Sequence, residues 1–75
     1  MKLDSGECYI IVSDDTRKVY LWIGLKSSLR SRFIASKRVQ ETRHRVGVHY
    51  SIIQLDEGQE DPEFLKLIGV AERDG

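Results

Sequence analysis

Val19-Tyr20-Leu21-Trp22-Ile23-Gly24 is a run of β-branched, aromatic and aliphatic residues with no polar interruption, stopped by a glycine. Such a run reads as a buried strand. Working toward the N-terminus, Cys8-Tyr9-Ile10-Ile11-Val12 repeats the pattern, with Gly6 before it and Ser13-Asp14-Asp15-Thr16 after it. The residues between the two runs are able to turn, so the pair is expected to form an antiparallel hairpin, with Asp14 or Asp15 hydrogen-bonding the turn backbone.

Working toward the C-terminus, Ser27 or Ser28 is placed to cap a helix. Residues 29–46 contain no Pro and no Gly and are rich in Arg, Lys, Gln and Glu, which predicts one long helix ending at Gly47. Arg43, His44 and Arg45 fall in its last turn, at the negative end of the helix dipole. Residues 48–55 read as a third strand, with a bulge expected near Ile52 and Ile53, where the alternation changes face. After an acidic loop, Asp61 and Pro62 open a short helix over residues 63–68, closed by Gly69. The order is ββαβα, an α+β domain filling residues 1–75, with no repeat or linker.

At 75 residues the chain is one domain, and a chain this short leaves much apolar surface in water. Hydrophobic residues at 40% and charged residues at 32% are the balance of a soluble globular domain. Twelve basic and twelve acidic side chains cancel, so no global field points to nucleic acid. The cancellation conceals a separation. Between 26 and 45 stand seven basic residues and one acid, Glu41, whereas 56–63 holds five acids and no base. Cys8 is the single cysteine, which excludes an internal disulfide and a multi-cysteine zinc site and fits a reducing compartment. No signal peptide or membrane span is present in the pattern, and a cytoplasmic protein is expected.

Chemistry is sparse. Cys8 lies within an apolar strand, where a thiol is packing. His44 and His49 flank a helix end and make a weak metal pair. Glu57, Glu60, Asp61 and Glu63 crowd one loop without the spacing of a helix-loop-helix calcium site, and a solvated acidic loop is the favoured reading. No phosphate-binding glycine loop occurs. No enzyme is expected.

The long helix carries more apolar width than one sheet contact uses. Ala35, Val39 and Val46 share a face, with Thr42 and the stem of Arg32 beside them, and that face is expected to pack on the sheet. Leu29, Phe33 and Ile34 point elsewhere. Either Leu29 and Phe33 cover the sheet edge or meet the short helix, or Phe33 and Ile34, framed by Arg30, Lys37 and Glu41, form a protein-binding strip.

Ser5-Gly6-Glu7-Cys8-Tyr9-Ile10, Val19-Tyr20-Leu21-Trp22-Ile23-Gly24, the long helix and Asp56-Glu57-Gly58-Gln59-Glu60-Asp61-Pro62-Glu63-Phe64-Leu65 together resemble a gelsolin-homology domain of the gelsolin, villin and severin family, over residues 3–69. The resemblance implies a mixed sheet between one long and one short helix, and a role in binding actin and modulating filament assembly, often under calcium control. It places the actin contacts on Arg30, Phe33, Ile34, Lys37 and Glu41. For calcium it implies Gly6 and Glu7 as ligands, while the helix carboxylate of the family is replaced by Ser31 between Arg30 and Arg32, and that of the second site by Thr42. Calcium binding is therefore expected to be weak or absent. Family domains also carry a strand before the Gly-Asp segment and another after the short helix, where this chain has only residues 1–5 and 70–75. A minimal single domain is the implication, binding or sequestering actin monomers, or one whose sheet edges are covered by a second copy. The alternative partner is an anionic lipid or phosphoinositide, met by Arg30, Arg32, Lys37, Arg38, Arg43 and Arg45.

Overall fold

A computed structural model of the chain describes residues 2–69. The two apolar runs are strands β1 (Cys8–Ser13) and β2 (Lys18–Ile23), paired antiparallel from Cys8↔Ile23 to Ser13↔Lys18. Helix α1 (Leu29–Val46) then crosses over to β3 (Ser51–Asp56), which pairs parallel with β2 from Lys18↔Ser51 to Ile23↔Asp56. Helix α2 (Pro62–Leu67) follows. The sheet order β1-β2-β3 puts the most apolar strand in the middle, and the architecture is the α+β mixed sheet expected.

Successive side chains of β2 turn to opposite faces, and each face has its own cover. Val19, Leu21 and Ile23 pack with Ala35 and Val39 of α1, while Tyr20 and Trp22 pack with Leu55, Phe64 and Ile68. The Tyr20 and Phe64 rings meet tilted at 5.0 Å between centroids, and Tyr9 lies against Trp22 at 5.7 Å. At about 1.5–3 kcal/mol for each large side chain removed from water, these two small cores supply the main stabilisation of the domain. They account for the unbroken apolar reading of β2, which has no solvent face.

Two local expectations are corrected. Residues 48–50 do not extend the third strand; they form a turn in which the Tyr50 N–H donates to the Gly47 carbonyl, and pairing starts where the Ser51 N–H donates to the Arg17 carbonyl. No bulge interrupts β3, whose pairing with β2 advances residue for residue. Ile52 faces the α1 core while Ile53 and Leu55 face the α2 core, so adjacent isoleucines reflect two covered faces and no change of register. Asp14 serves a longer reach than its own turn: its carboxylate accepts from the Tyr50 hydroxyl at 2.6 Å, joining the hairpin to the turn before β3 and raising the phenol's pKa. Residues 70–75, which stand where the family carries a final strand that this chain is expected to lack, lie outside the described residues.

The segment entering β1 crosses directly over the end of β2. Gly24 N–H donates to the Glu7 carbonyl at 3.1 Å and Lys26 N–H to the Ser5 carbonyl at 3.0 Å. A Cβ at Gly24 would stand 2.1 Å from the Ser5 oxygen and 2.6 Å from the Glu7 oxygen, both backbone atoms that cannot move aside cheaply. Gly24→Ala is therefore expected to destabilise the domain by about 3 kcal/mol or more, whereas Gly6→Ala, whose Cβ meets only the Asp4 side chain at 3.4 Å, stays within about 1 kcal/mol. Urea unfolding of the two variants checks the difference.

Candidate functional site

Helix α1 is built from its ends inward. Ser28, extended in backbone, accepts the Ser31 N–H on its hydroxyl at 3.0 Å, and Gly47 at φ 136° closes the helix by donating to the Arg43 carbonyl at 2.9 Å. Arg43, His44 and Arg45 lie in the last turn as read from the sequence. Ala35 and Val39 are buried on the sheet, and their small volume lets the helix axis sit close to β2. Arg32 is anchored beside them, donating to the Ser27 hydroxyl at 2.9 Å and toward the Gly24 and Leu25 carbonyls at 3.4 and 3.3 Å. Its guanidinium thus braces the loop before α1 and is already engaged within the basic set. Val46, expected on the packed face, is 36% exposed, as the last residue of the helix.

The opposite face is uncovered by the described residues. Leu29 is 83% exposed, Phe33 66% and Ile34 41%, so neither the sheet edge nor α2 takes them up. Arg30, Lys37 and Glu41 are exposed on the same face. The structure brings all five sequence-predicted positions into one strip. The Lys37 ammonium sits 5.6 Å from the Phe33 ring centroid, a cation–π contact. Leu29 belongs to the strip too, and the signal for it was its spacing of four from Phe33. Leu25, also exposed, extends the apolar character into the loop at the start of the helix.

Ile34 borders a groove of about 400 Å³ between α1 and β1, into which Glu7, Cys8, Ile10, Ser31 and Arg38 also open. Glu7 and Ser31 are thus brought together, as the resemblance implied for a calcium position, but the donor set does not fit that ion. Glu7 is the one carboxylate lining the groove, the helix position offers a hydroxyl, and a guanidinium shares the space. Calcium takes six to eight oxygens, several of them charged. Among the described residues no group of three or more His, Cys, Asp or Glu side chains converges anywhere. Gly6 is held by its N–H to the Asp4 carboxylate at 2.8 Å, and the Thr42 hydroxyl turns back on the helix to the Arg38 carbonyl at 2.9 Å.

The acidic loop proves to be structural. Glu57 accepts the Ser5 hydroxyl at 2.6 Å on either carboxylate oxygen and the Leu25 N–H at 2.8 Å. Glu60 accepts the Trp22 indole N–H at 2.7 Å and the Gly58 N–H at 3.0 Å. Asp61 caps α2 through the Phe64 N–H at 2.7 Å. Glu63 pairs with Lys18 at 2.5 Å and takes the Tyr20 hydroxyl at 3.2 Å. These carboxylates aim at different donors and not at one point. The bonds from Ser5 and from Leu25 hold Glu57 below its ordinary carboxylate pKa, and the bond from Lys18 does the same for Glu63. Burial, with the nearby Glu63 charge, raises that of the Tyr20 phenol. No helix among the described residues is long and apolar enough to cross a membrane.

No family model matches the chain, and no curated protein matches it. Solved structures do. The chain is similar to Thorarchaeota ProGel, solved in complex with rabbit actin, with a TM-score of 0.85 and 27% identity over 89% of this chain and 75% of that one. It is also similar to Thorarchaeota 2DGel3, likewise solved with rabbit actin, with a TM-score of 0.74 and 30% identity over 84% of this chain and 31% of that one.

Because Glu57 and Glu63 sit below the ordinary value of 4.5 in the folded chain, the stability they contribute is complete above that value and lost as pH falls through their folded values. Glu57→Gln with Glu63→Gln should lower Tm at neutral pH and flatten the further loss of Tm on acidification below about pH 4.5. Thermal melts across that range measure both effects.

Proposed function

The chain is a gelsolin-homology domain, and on that premise we propose that it is an actin-binding module, not an enzyme, that docks through the outward face of α1. The observation that carries the reading is the exposure of Phe33 and Ile34 on a helix whose other face is core. A soluble domain with this little apolar surface to bury does not leave an aromatic and an isoleucine side by side in water without a use for them. Two solved structures to which the chain is similar, Thorarchaeota ProGel and 2DGel3, are complexes with actin. The strip has the make-up of an interface anchor, an aromatic and aliphatic centre with Arg30, Lys37 and Glu41 as its rim.

On this reading the rim sets orientation and the centre sets affinity. Lys37 holds the Phe33 ring from one side, and Leu29 lengthens the apolar centre toward the loop. With one strip per domain, the expected action is to hold actin monomers and so lower the amount that assembles. Binding does not require calcium, because the groove that would carry the ion offers one carboxylate beside a guanidinium.

Phe33→Ala combined with Ile34→Ala should keep the wild-type thermal melt and weaken actin binding by roughly a hundredfold, in line with about 2 kcal/mol or more for a central anchor. Pyrene-actin assembly and monomer-binding titrations read this directly; undiminished binding by the folded variant removes α1 as the interface. The same titrations in EGTA and in millimolar calcium should agree within about twofold.

A further inference from the structure

Helix α1 carries its cations unopposed. The chain as a whole has as many acids as bases, yet α1 holds a single acid, Glu41. Among the described residues the one ion pair is Lys18 with Glu63, away from this helix. Glu60 and Glu63 are bonded to Trp22 and Tyr20, whose side chains lie on the sheet face turned away from α1, so the sheet stands between their charge and the helix. Glu57 and Asp61 are likewise taken up by Ser5, Leu25 and the start of α2.

Helical spacing sets the cations in order. Arg30, Ile34, Arg38, Glu41 and Arg45 follow one another at intervals of four, four, three and four, so they share one row along the helix. All five are exposed. Over about 22 Å, at about 1.5 Å per residue, the row reads basic, apolar, basic, acidic, basic. We infer, on the reading that α1 is the helix that docks actin, that this row meets an acidic stretch of the actin surface. Arg38 and Arg45, outside the strip already described, are then orienting residues of the same interface.

Three guanidinium groups pressed on a neutral or basic surface would lose hydration with nothing in return, whereas opposing acids repay it and draw the helix in from a distance. The row also gives direction. Turned end for end, the arginines fall on one another's places, with Arg30 and Arg45 exchanged and Arg38 nearly unmoved. Ile34 and Glu41 exchange as well, which drives a carboxylate into the apolar contact, so the charges attract in either sense and this pair rejects the wrong one. A uniformly anionic bilayer is the poorer match. Segments that hold such surfaces cluster about four to eight cations, while here a carboxylate stands between Arg38 and Arg45. Charges at fixed intervals, with an apolar contact among them, belong to the surface of a folded protein.

Stopped-flow mixing with fluorescent actin monomers, kept from assembling by latrunculin, reads association and dissociation separately. Between about 50 and about 300 mM KCl the association rate of the unaltered chain should fall about tenfold, with dissociation constant within about twofold. Arg38→Glu with Arg45→Glu should slow association about tenfold at the lower salt and flatten its salt dependence, and the milder Arg38→Gln with Arg45→Gln should slow it about threefold. Both side chains are exposed, so the circular dichroism spectra should not change. Phe33→Ala with Ile34→Ala acts on the other quantity, speeding dissociation and leaving the salt dependence in place. Undiminished binding by that variant overturns α1 as the interface. Weakened binding by it, beside an unaltered chain indifferent to salt or arginine reversals that associate at full speed, overturns the acidic partner surface alone. Pelleting with phosphatidylcholine vesicles containing about one-fifth phosphatidylserine, at physiological salt and abolished by the arginine reversals, assigns the row to a membrane and overturns it too.

Discussion

The approach of two backbone carbonyls to the α-carbon of Gly24 is the constraint on which the other parts of this domain rely. No side chain fits there, so the segment carrying Ser5 and Glu7 can lie flat across the end of β2, and its carbonyls take the Gly24 and Lys26 amides. From that crossing the remaining elements are tied in turn. Arg32 of α1 reaches the Gly24 and Leu25 carbonyls, Glu57 after β3 takes the Ser5 hydroxyl and the Leu25 amide, and the Glu57 N–H donates to Ile23. A short chain cannot hold its elements by core burial alone. This domain adds a polar clasp at one pole, where the entrance to β1, the exit of β2, the start of α1 and the exit of β3 converge.

That clasp also explains how charge is distributed. The carboxylates of the loop between β3 and α2, with Glu63 in the first turn of α2, are acceptors for specific donors of the chain itself, among them the indole of Trp22 for Glu60 and the ammonium of Lys18 for Glu63. Among the described residues no buried side-chain nitrogen or oxygen lacks a partner. Arg32 is drawn into the same network, but Arg30, Lys37, Arg38 and Arg45 are left exposed on α1. The molecule therefore meets its surroundings with a basic, partly apolar helix, while much of its acidity is turned toward its own frame.

The parts of the fold legible in the sequence were those governed by periodicity and punctuation. The helix from Leu29 to Val46 is announced by a stretch free of Gly and Pro between Ser28 and Gly47, and both caps form as expected. β2 is announced by an apolar run that needs two covers. The outward strip could be read because helical spacing fixes direction regardless of what lies opposite. What stayed hidden depended on long-range partners. Nothing local tells that Val48 belongs to a turn, since its apolarity mimics a strand and it is in fact exposed. Ile52 and Ile53 mimic a bulge because the second cover over β3 comes from α2, a separate element of the chain. The acidic residues look solvated because a carboxylate's donor, Ser5 for Glu57 or Trp22 for Glu60, lies far away in the chain.

Lys37 poised over the Phe33 ring has a bearing on how the helix meets a partner. A phenyl group free to swing in water must surrender that freedom when it is captured, and the surrender subtracts from affinity. Here the ammonium already restrains the ring before any encounter, and the aromatic face shields part of the ammonium's stem. The pair thus presents a shaped, positively charged knob in place of two independent side chains, and a receptor that offers an apolar hollow with an acidic lip finds its ligand pre-set.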